Sequence, residues 1–198
     1  SALQDLVSNR QGAIGGTSAG MAVLGEGVFG AGAGTVYSDE ALEDPYNPWM
    51  DVQWQAFLDV PGLRSVITDT HYDDPDRRGR HVAFMARLAA DGDTSSPLGI
   101  ACDEYAAVCI DAEGLARCFG DWPEYDDFVY FLRPACEHPG LPESCQPGEA
   151  LAWGSAAEPA LAVWRAAASS EGTTSFDLSV WNAGGTDGDG TWESWWVP

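Results

Sequence analysis

The most regular apolar pattern lies mid-chain. Across RRGRHVAFMARLAADG, Val82, Phe84, Met85 and Leu88 fall at helical spacing and Gly92 closes the run, which predicts an amphipathic helix with a glycine stop. Just before it, RSVITDTHY concentrates β-branched residues and reads as a buried strand with His71 near its carboxyl end. After it, LGIACDEYAAVCIDAEGLARCFG predicts two strands joined by a turn at Asp111 to Gly114, and DDFVYFL a further strand. Toward the start, SALQDLVSNRQ reads as a helix end or connector leading into a short strand at Ala13-Ile14. A sharp turn and a helix follow, and the helix dissolves into GVFGAGAG, too glycine-rich for regular structure. SDEALEDPYNPW reads as a long loop.

Strands alternating with helices point to an α/β layer architecture. Beyond Cys145 the pattern changes to an Ala-rich stretch with Trp153 and Trp164, then FDLSVW, a Gly/Asp cluster and TWESWWVP. Four of the nine tryptophans lie between 181 and 198, and that much indole must be covered. The expectation is an α/β body over 1–135 and a cysteine loop with a small Trp-rich β appendage over 136–198. GGTDGDG, at 184–190, has calcium-ligand chemistry but in one copy reads as a hairpin turn.

Charge narrows the partners. Against 31 acidic residues stand 9 basic ones, all arginine, for a formal net charge of −22. Such a surface repels phosphate backbones and anionic lipid, which argues against nucleic acid and membrane partners. The absence of lysine fits either adaptation to salt or compositional drift. No apolar run approaches the ~20 residues of a membrane span. The five cysteines at 102, 109, 118, 136 and 145 have neither CxxC nor zinc-finger spacing, so disulfides are the expected use. A bridge across CEHPGLPESC, from Cys136 to Cys145, would place the chain in an oxidising, extracytoplasmic compartment.

Gly16-Thr17-Ser18-Ala19-Gly20 fits G-x-S-x-G, in which small neighbours allow a serine onto a strained strand-to-helix turn. There the Ala19 N–H is placed to stabilise an oxyanion. Such a serine needs a base, and the chain offers His71, His81 and His138. His81 falls within the predicted helix and His138 within the cysteine loop. His71 stands at a strand end, where open α/β sheets place their sites, with Asp69 two residues before it.

Taken in order, GGTSAG, SDEAL, ITDTHY, RRGR, the helix ending in ARL, and GIACDE resemble the cyanophycinase family of serine peptidases, which includes the related aspartyl dipeptidases. The resemblance spans roughly residues 11 to 120, with a weaker echo of extended, secreted members in PESCQPG and FDLSVW. It implies a three-layer α/β sandwich like that of class I glutamine amidotransferases, with residues 1–135 as the C-terminal half of the catalytic domain, and a Ser-His-Glu triad without metal or cofactor. Ser18 takes the nucleophile's place and His71 the base's. The acid falls on Glu40 in SDEAL, with Glu43 and Asp39 as alternatives.

The same likeness implies that Asp69, Arg77 and Arg80 hold the substrate's charged groups, where guanidinium forks suit carboxylates. Arg78 and Arg87 lie nearby as helix-surface arginines. Two positions depart from the family pattern: Pro75 stands where its first arginine would be, and Thr70 where cyanophycinase has glutamine. Family members also carry about a hundred residues ahead of the elbow that supply sheet strands and a second oxyanion donor. The expected partners are therefore an N-terminal chain of the same precursor, left bound after cleavage before Ser1, and a peptide substrate with acidic groups. A homodimer is compatible with this reading. The function expected is hydrolysis of aspartyl-type or cyanophycin-like peptide bonds, the alternatives being a self-processing two-chain protein or an inactive binding relative.

Overall fold

The computed structural model describes residues 1–55, 57–74, 76–136, 140–183 and 189–198. Helix α1 (Ala2–Ser8) and the short α2 (Ala19–Ala22) precede strand β1 (Gly27–Phe29), α3 (Ser38–Glu43), β2 (Val52–Trp54), β3 (Val66–Thr70) and α4 (Arg78–Ala90). Strands β4 (Leu98–Cys102), β5 (Ala107–Ile110), β6 (Leu115–Trp122) and β7 (Phe128–Pro134) follow. The tail adds β8 (Leu161–Ala167), β9 (Ser175–Asp177), β10 (Asn182–Ala183) and β11 (Gly190–Trp195).

Seven strands form one sheet in the order β11-β8-β7-β4-β3-β1-β2, and four form a second in the order β10-β9-β6-β5. In the large sheet β3 runs parallel to β4 and β1, while the outer pairs are antiparallel. The protein is mixed α/β, as its alternating pattern predicts.

Two apolar clusters show why the central strands are buried on both faces. Ile67, Ala101, Tyr130 and Leu132 share a cluster with Val82, Phe84, Met85 and Leu88 of α4. Their sequence neighbours Val66, Ile100, Cys102, Val129 and Phe131 point the other way, onto Ala116, Cys118 and Phe176 of the second sheet. The period of two thus splits each strand between helix side and sheet side, and a strand buried on both faces keeps no polar side for water. Phe131 stacks on Phe176 across the sheets at 4.1 Å; burying either ring stabilises the packing by about 2–3 kcal/mol.

Helix α4 matches its predicted span, and Gly92, at φ +79°, sits just beyond its end. His81, expected as a packing or surface residue, is fully buried. It lies 3.1 Å from both the Ile67 carbonyl and the Tyr72 hydroxyl. The carbonyl can only accept, so Nε2 carries the proton and Nδ1 accepts from Tyr72. Burial lowers its pKa and keeps the ring neutral.

Several expectations are corrected. Residues 11–16 carry no ladder, and the Gly12 N–H closes instead on the Leu6 carbonyl at 2.9 Å. The glycine-rich segment does form a strand: a Cβ at Gly27 would lie 2.8 Å from Leu88 Cδ1 and 3.1 Å from Ile67 Cβ. Its glycine therefore lets β1 close against β3 and α4. The expected two-strand stretch at 98–120 makes three, because β4 enters the large sheet while the β5–β6 hairpin turns into the small one. The tail is not set apart as an appendage, since β8 and β11 complete the large sheet and β9 and β10 the small one.

All five thiols are free. Cys136 is exposed beside Arg133, with Nη1 3.2 Å from Sγ, whereas Cys145 is buried in the helix-side cluster, so the expected bridge is not made. Burial pushes the Cys145 thiol up to about 11 and the Cys118 thiol up to about 12. Most of GGTDGDG and all of His138 and Pro75 lie outside the described residues. Among the described residues no helix is long and apolar enough to cross a membrane.

Candidate active site

The turn before α2 is strained in the way its sequence requires. Ser18 sits at φ 52°, ψ −125°, a conformation that costs a non-glycine residue on the order of 1–3 kcal/mol. A Cβ at Gly16 would lie 2.3 Å from the Gly20 carbonyl carbon, whereas one at Gly20 would meet nothing within 4 Å. Gly16 is thus the steric requirement of the motif. Thr68 of β3 donates from Oγ1 to the Met21 carbonyl at 2.6 Å, which ties α2 to the central strand. The serine itself is exposed.

From the end of that same strand comes the imidazole. His71 follows the last residue of β3 at φ 52°, and its Nε2 lies 2.9 Å from Ser18 Oγ. Its other nitrogen, Nδ1, is in close hydrogen-bonding contact with Glu104 Oε1. Glu104 stands two residues beyond β4, and the parallel register that pairs Thr70 with Cys102 sets the two strand ends level. Histidine and glutamate therefore stand at the carboxyl ends of adjacent parallel strands, where the Ser18 turn meets them. A carboxylate accepts only, so Nδ1 carries the proton and Nε2 presents its lone pair to the serine hydroxyl.

Glu104 replaces the expected acid. Glu40 is turned onto its own helix, where Oε2 accepts from the Tyr37 N–H at 3.0 Å in a capping box at the start of α3. Asp39 and Glu43 belong to the same helix. The signal for Glu104 was present in GIACDE, since the strand-end argument that selects His71 applies equally to the residues after β4.

Asp69 and Arg80 also depart from their expected role. The two side chains are 1% and 4% exposed, and Arg80 Nε donates to Asp69 Oδ2 at 2.8 Å while Nη2 contacts Oδ1. Arg80 Nη1 reaches Thr35 Oγ1 at 3.1 Å and the Val36 carbonyl at 3.2 Å, and its guanidinium lies over Phe29 and Phe84. Every face of that guanidinium is occupied from within, so the pair frames the end of β3 instead of meeting a substrate.

Arg77 is different. Its Nη1 donates to the Thr70 carbonyl at 3.1 Å, beside His71, and its buried Nε has no partner among the described residues. Burial, then the neighbouring Arg80 charge, lowers its pKa, yet guanidinium remains a cation at any physiological pH. Arg78 is exposed, 5.8 Å over the Tyr130 ring. Arg87 pairs with Asp91 at 3.0 Å and covers Tyr46. The Ala19 N–H, expected as an oxyanion donor, makes no backbone hydrogen bond among the described residues.

Compared with known proteins, the chain matches no family model and no curated sequence.

Proposed function

We propose that this chain is a serine peptidase of the cyanophycinase type, acting through an acyl-enzyme on Ser18. One observation carries the proposal: Ser18 Oγ, His71 and Glu104 form a continuous hydrogen-bonded chain, with the nucleophile on a strained turn. Serine is a weak nucleophile by itself, and an oriented base in contact with its hydroxyl is the arrangement that activates it.

His71 Nε2 takes the proton as Ser18 Oγ attacks the scissile carbonyl, and the charge gathering on the carbonyl oxygen is met by the Ala19 N–H. Glu104 stabilises the imidazolium so formed without itself taking the proton. His71 then protonates the leaving amine as the C–N bond breaks, leaving an ester on Ser18. Water, deprotonated by the same imidazole, hydrolyses that ester and returns the enzyme.

The favoured substrate carries an aspartyl or similar acidic group, with Arg77 as the cation that meets it. Buried Arg80 and Asp69 act behind this surface. The clusters on both faces of the large sheet support the finer comparison with the three-layer class I glutamine amidotransferase fold. A companion chain from the same precursor belongs to the proposal. In register β3 meets β1 only at Gly27 and Ile67, so beyond Ile67 that edge carries no strand of the described residues beside the Ser18 turn. An added strand there would supply sheet bonds and a second oxyanion donor. With no disulfide formed, an extracytoplasmic location rests on the likeness to secreted family members.

The test is turnover in trans. Purified protein is incubated with a library of aspartyl-containing peptides, and released amine is followed for wild type and Ser18→Ala. Cleavage lost in the variant supports the reading. Cleavage confined to the protein's own precursor would indicate self-processing, and none at all an inactive relative.

A further inference from the structure

The residue beside the triad glutamate is itself unusual. Asp103 is only 4% exposed, and it clasps the start of β7 in both directions. Its N–H donates to the Phe128 carbonyl at 3.0 Å, and its Oδ2 accepts from the Phe128 N–H at 3.2 Å and the Tyr130 hydroxyl at 3.4 Å. Its own carbonyl accepts from the Ala106 N–H at 3.3 Å, which closes the turn that carries Glu104. The remaining oxygen, Oδ1, is buried with no partner among the described residues. A carboxylate left so is costly to ionise, because nothing replaces the water it has lost.

We propose that Asp103 is a positioning residue that must be neutral for the triad to assemble: protonated, it keeps the turn at 103–106 closed with Glu104 against His71, and on ionisation it loosens that turn. The inference rests on the peptidase reading only for its activity readout.

The surroundings agree. Burial, reinforced by the carboxylate of Asp73, pushes the Asp103 pKa up to about 7; Arg78, the Phe128 N–H and the Tyr130 hydroxyl pull against them. Asp73 is fixed in place because its Oδ1 accepts from the Glu104 N–H at 3.2 Å. Ionised Asp103 therefore faces a like charge that holds the backbone of the triad glutamate. Asp76, from the loop after β3, acts on Arg78 and weakens that cation's relief of Asp103. Arg165 on β8 and Glu193 on β11 act on Tyr130 in opposite directions and pair with each other at 3.1 Å, so they add little net field at Asp103. The outlet for an ionised Asp103 is toward water, and the chain that moves with it is the one bearing Glu104.

Activity then has two opposed requirements: His71 must lack its extra proton to act as base, and Asp103 must keep its own. The test is a series from about pH 6 to about pH 9 on the whole chain, wild type and Asp103→Asn, with two readouts. The first is the downfield proton resonance of the His71 Nδ1–H, which reports the bond to Glu104 directly. It is expected at the acid end, to vanish from wild type above about pH 8, and to persist throughout in the variant, whose amide cannot ionise.

The second readout is the rate of fluorophosphonate labelling at Ser18. It should fall on the order of tenfold per pH unit above the ionisation of Asp103 in wild type, and stay level in Asp103→Asn. A wild-type resonance that persists to the basic end overturns the proposal, and this holds even if the variant fails to fold. So does a resonance lost equally in a folded variant. Absence of labelling at every pH, with the resonance behaving as expected, would instead sink the peptidase reading and leave the role of Asp103 intact.

Discussion

Replacing Arg80 with alanine should cost this protein a large part of its stability. Removing the guanidinium strands the Asp69 carboxylate, 1% exposed, with only the Thr70 N–H among the described residues, at 2.8 Å, still donating to it. Breaking a buried pair from one side costs about 3–5 kcal/mol, because a charge is left without a partner in a region water does not reach. The bonds to Thr35 and Val36 and the contact with the Phe29 and Phe84 rings are lost as well.

A domain of this size is stable by only about 5–15 kcal/mol, so Arg80→Ala should shift a urea midpoint far down while leaving the m-value unchanged. Arg80→Lys keeps the charge without the fork and should fall between the two. The double variant Arg80→Ala, Asp69→Ala should recover part of the loss, since the stranded charge is gone, giving a coupling energy of about 1–3 kcal/mol in the cycle. Were Arg80 a substrate ligand in an open cleft, alanine would leave the unfolding curve within about 0.5 kcal/mol of wild type and raise KM alone. That pattern would refute the reasoning.

Three further outcomes are expected. Glu104→Gln should lower kcat/KM by about 10²–10⁴-fold while Glu40→Gln, confined to a helix cap, changes it little; peptide turnover by both variants decides which acid serves. Gly16→Ala drives a methyl into the Gly20 backbone and should abolish labelling of Ser18 with smaller loss of overall stability, seen by comparing adduct mass with a thermal melt. Asp103, with its folded pKa raised from 3.8 to about 7, binds its proton more tightly in the native than in the unfolded chain. Its contribution to stability is therefore full below the ordinary carboxylate value and is lost as pH rises toward 7, by about 2–4 kcal/mol. Buried neutral His81 opposes this slope on its acid side. The check is thus the difference between wild type and Asp103→Asn across pH, with the variant relatively more stable at the basic end.

The fold was legible where one face of an element decides its fate. The α4 run and VITDT could each be read locally, the first by its period and glycine stop, the second by its β-branched content. What could not be read was pairing. Nothing in FDLSVW or TWESWWVP says which sheet the strand enters, because β9 and β11 find partners in β6 and β8, dozens of residues away, and register is a property of the assembled sheet. Nor does CDEYAAVC announce that β4 ends in one sheet and β5 begins in another.

The candidate site divides in the same way. Ser18 and His71 each carry a local mark, a glycine-framed turn and a strand end. Glu104 has the second mark too, but becomes visible only when β3 and β4 are known to be parallel neighbours with Thr70 level with Cys102. Glu40 is what the family resemblance implies, in a stretch that reads as loop, whereas its place at the third position of α3 is that of a capping glutamate. Arg80 and Arg77 share a sequence neighbourhood. Arg77 is the non-helical residue that caps α4 and stays beside His71, whereas Arg80, inside the first turn, points inward onto Asp69, a distinction that depends on where the helix begins.

The central claim is that Ser18 is activated by His71, and covalent labelling tests it most directly. After exposure to a fluorophosphonate, digestion and mass spectrometry should find one adduct, on Ser18, formed at least about 10²-fold more slowly in His71→Ala. No adduct on Ser18, or one whose rate ignores the loss of the imidazole, would contradict the account.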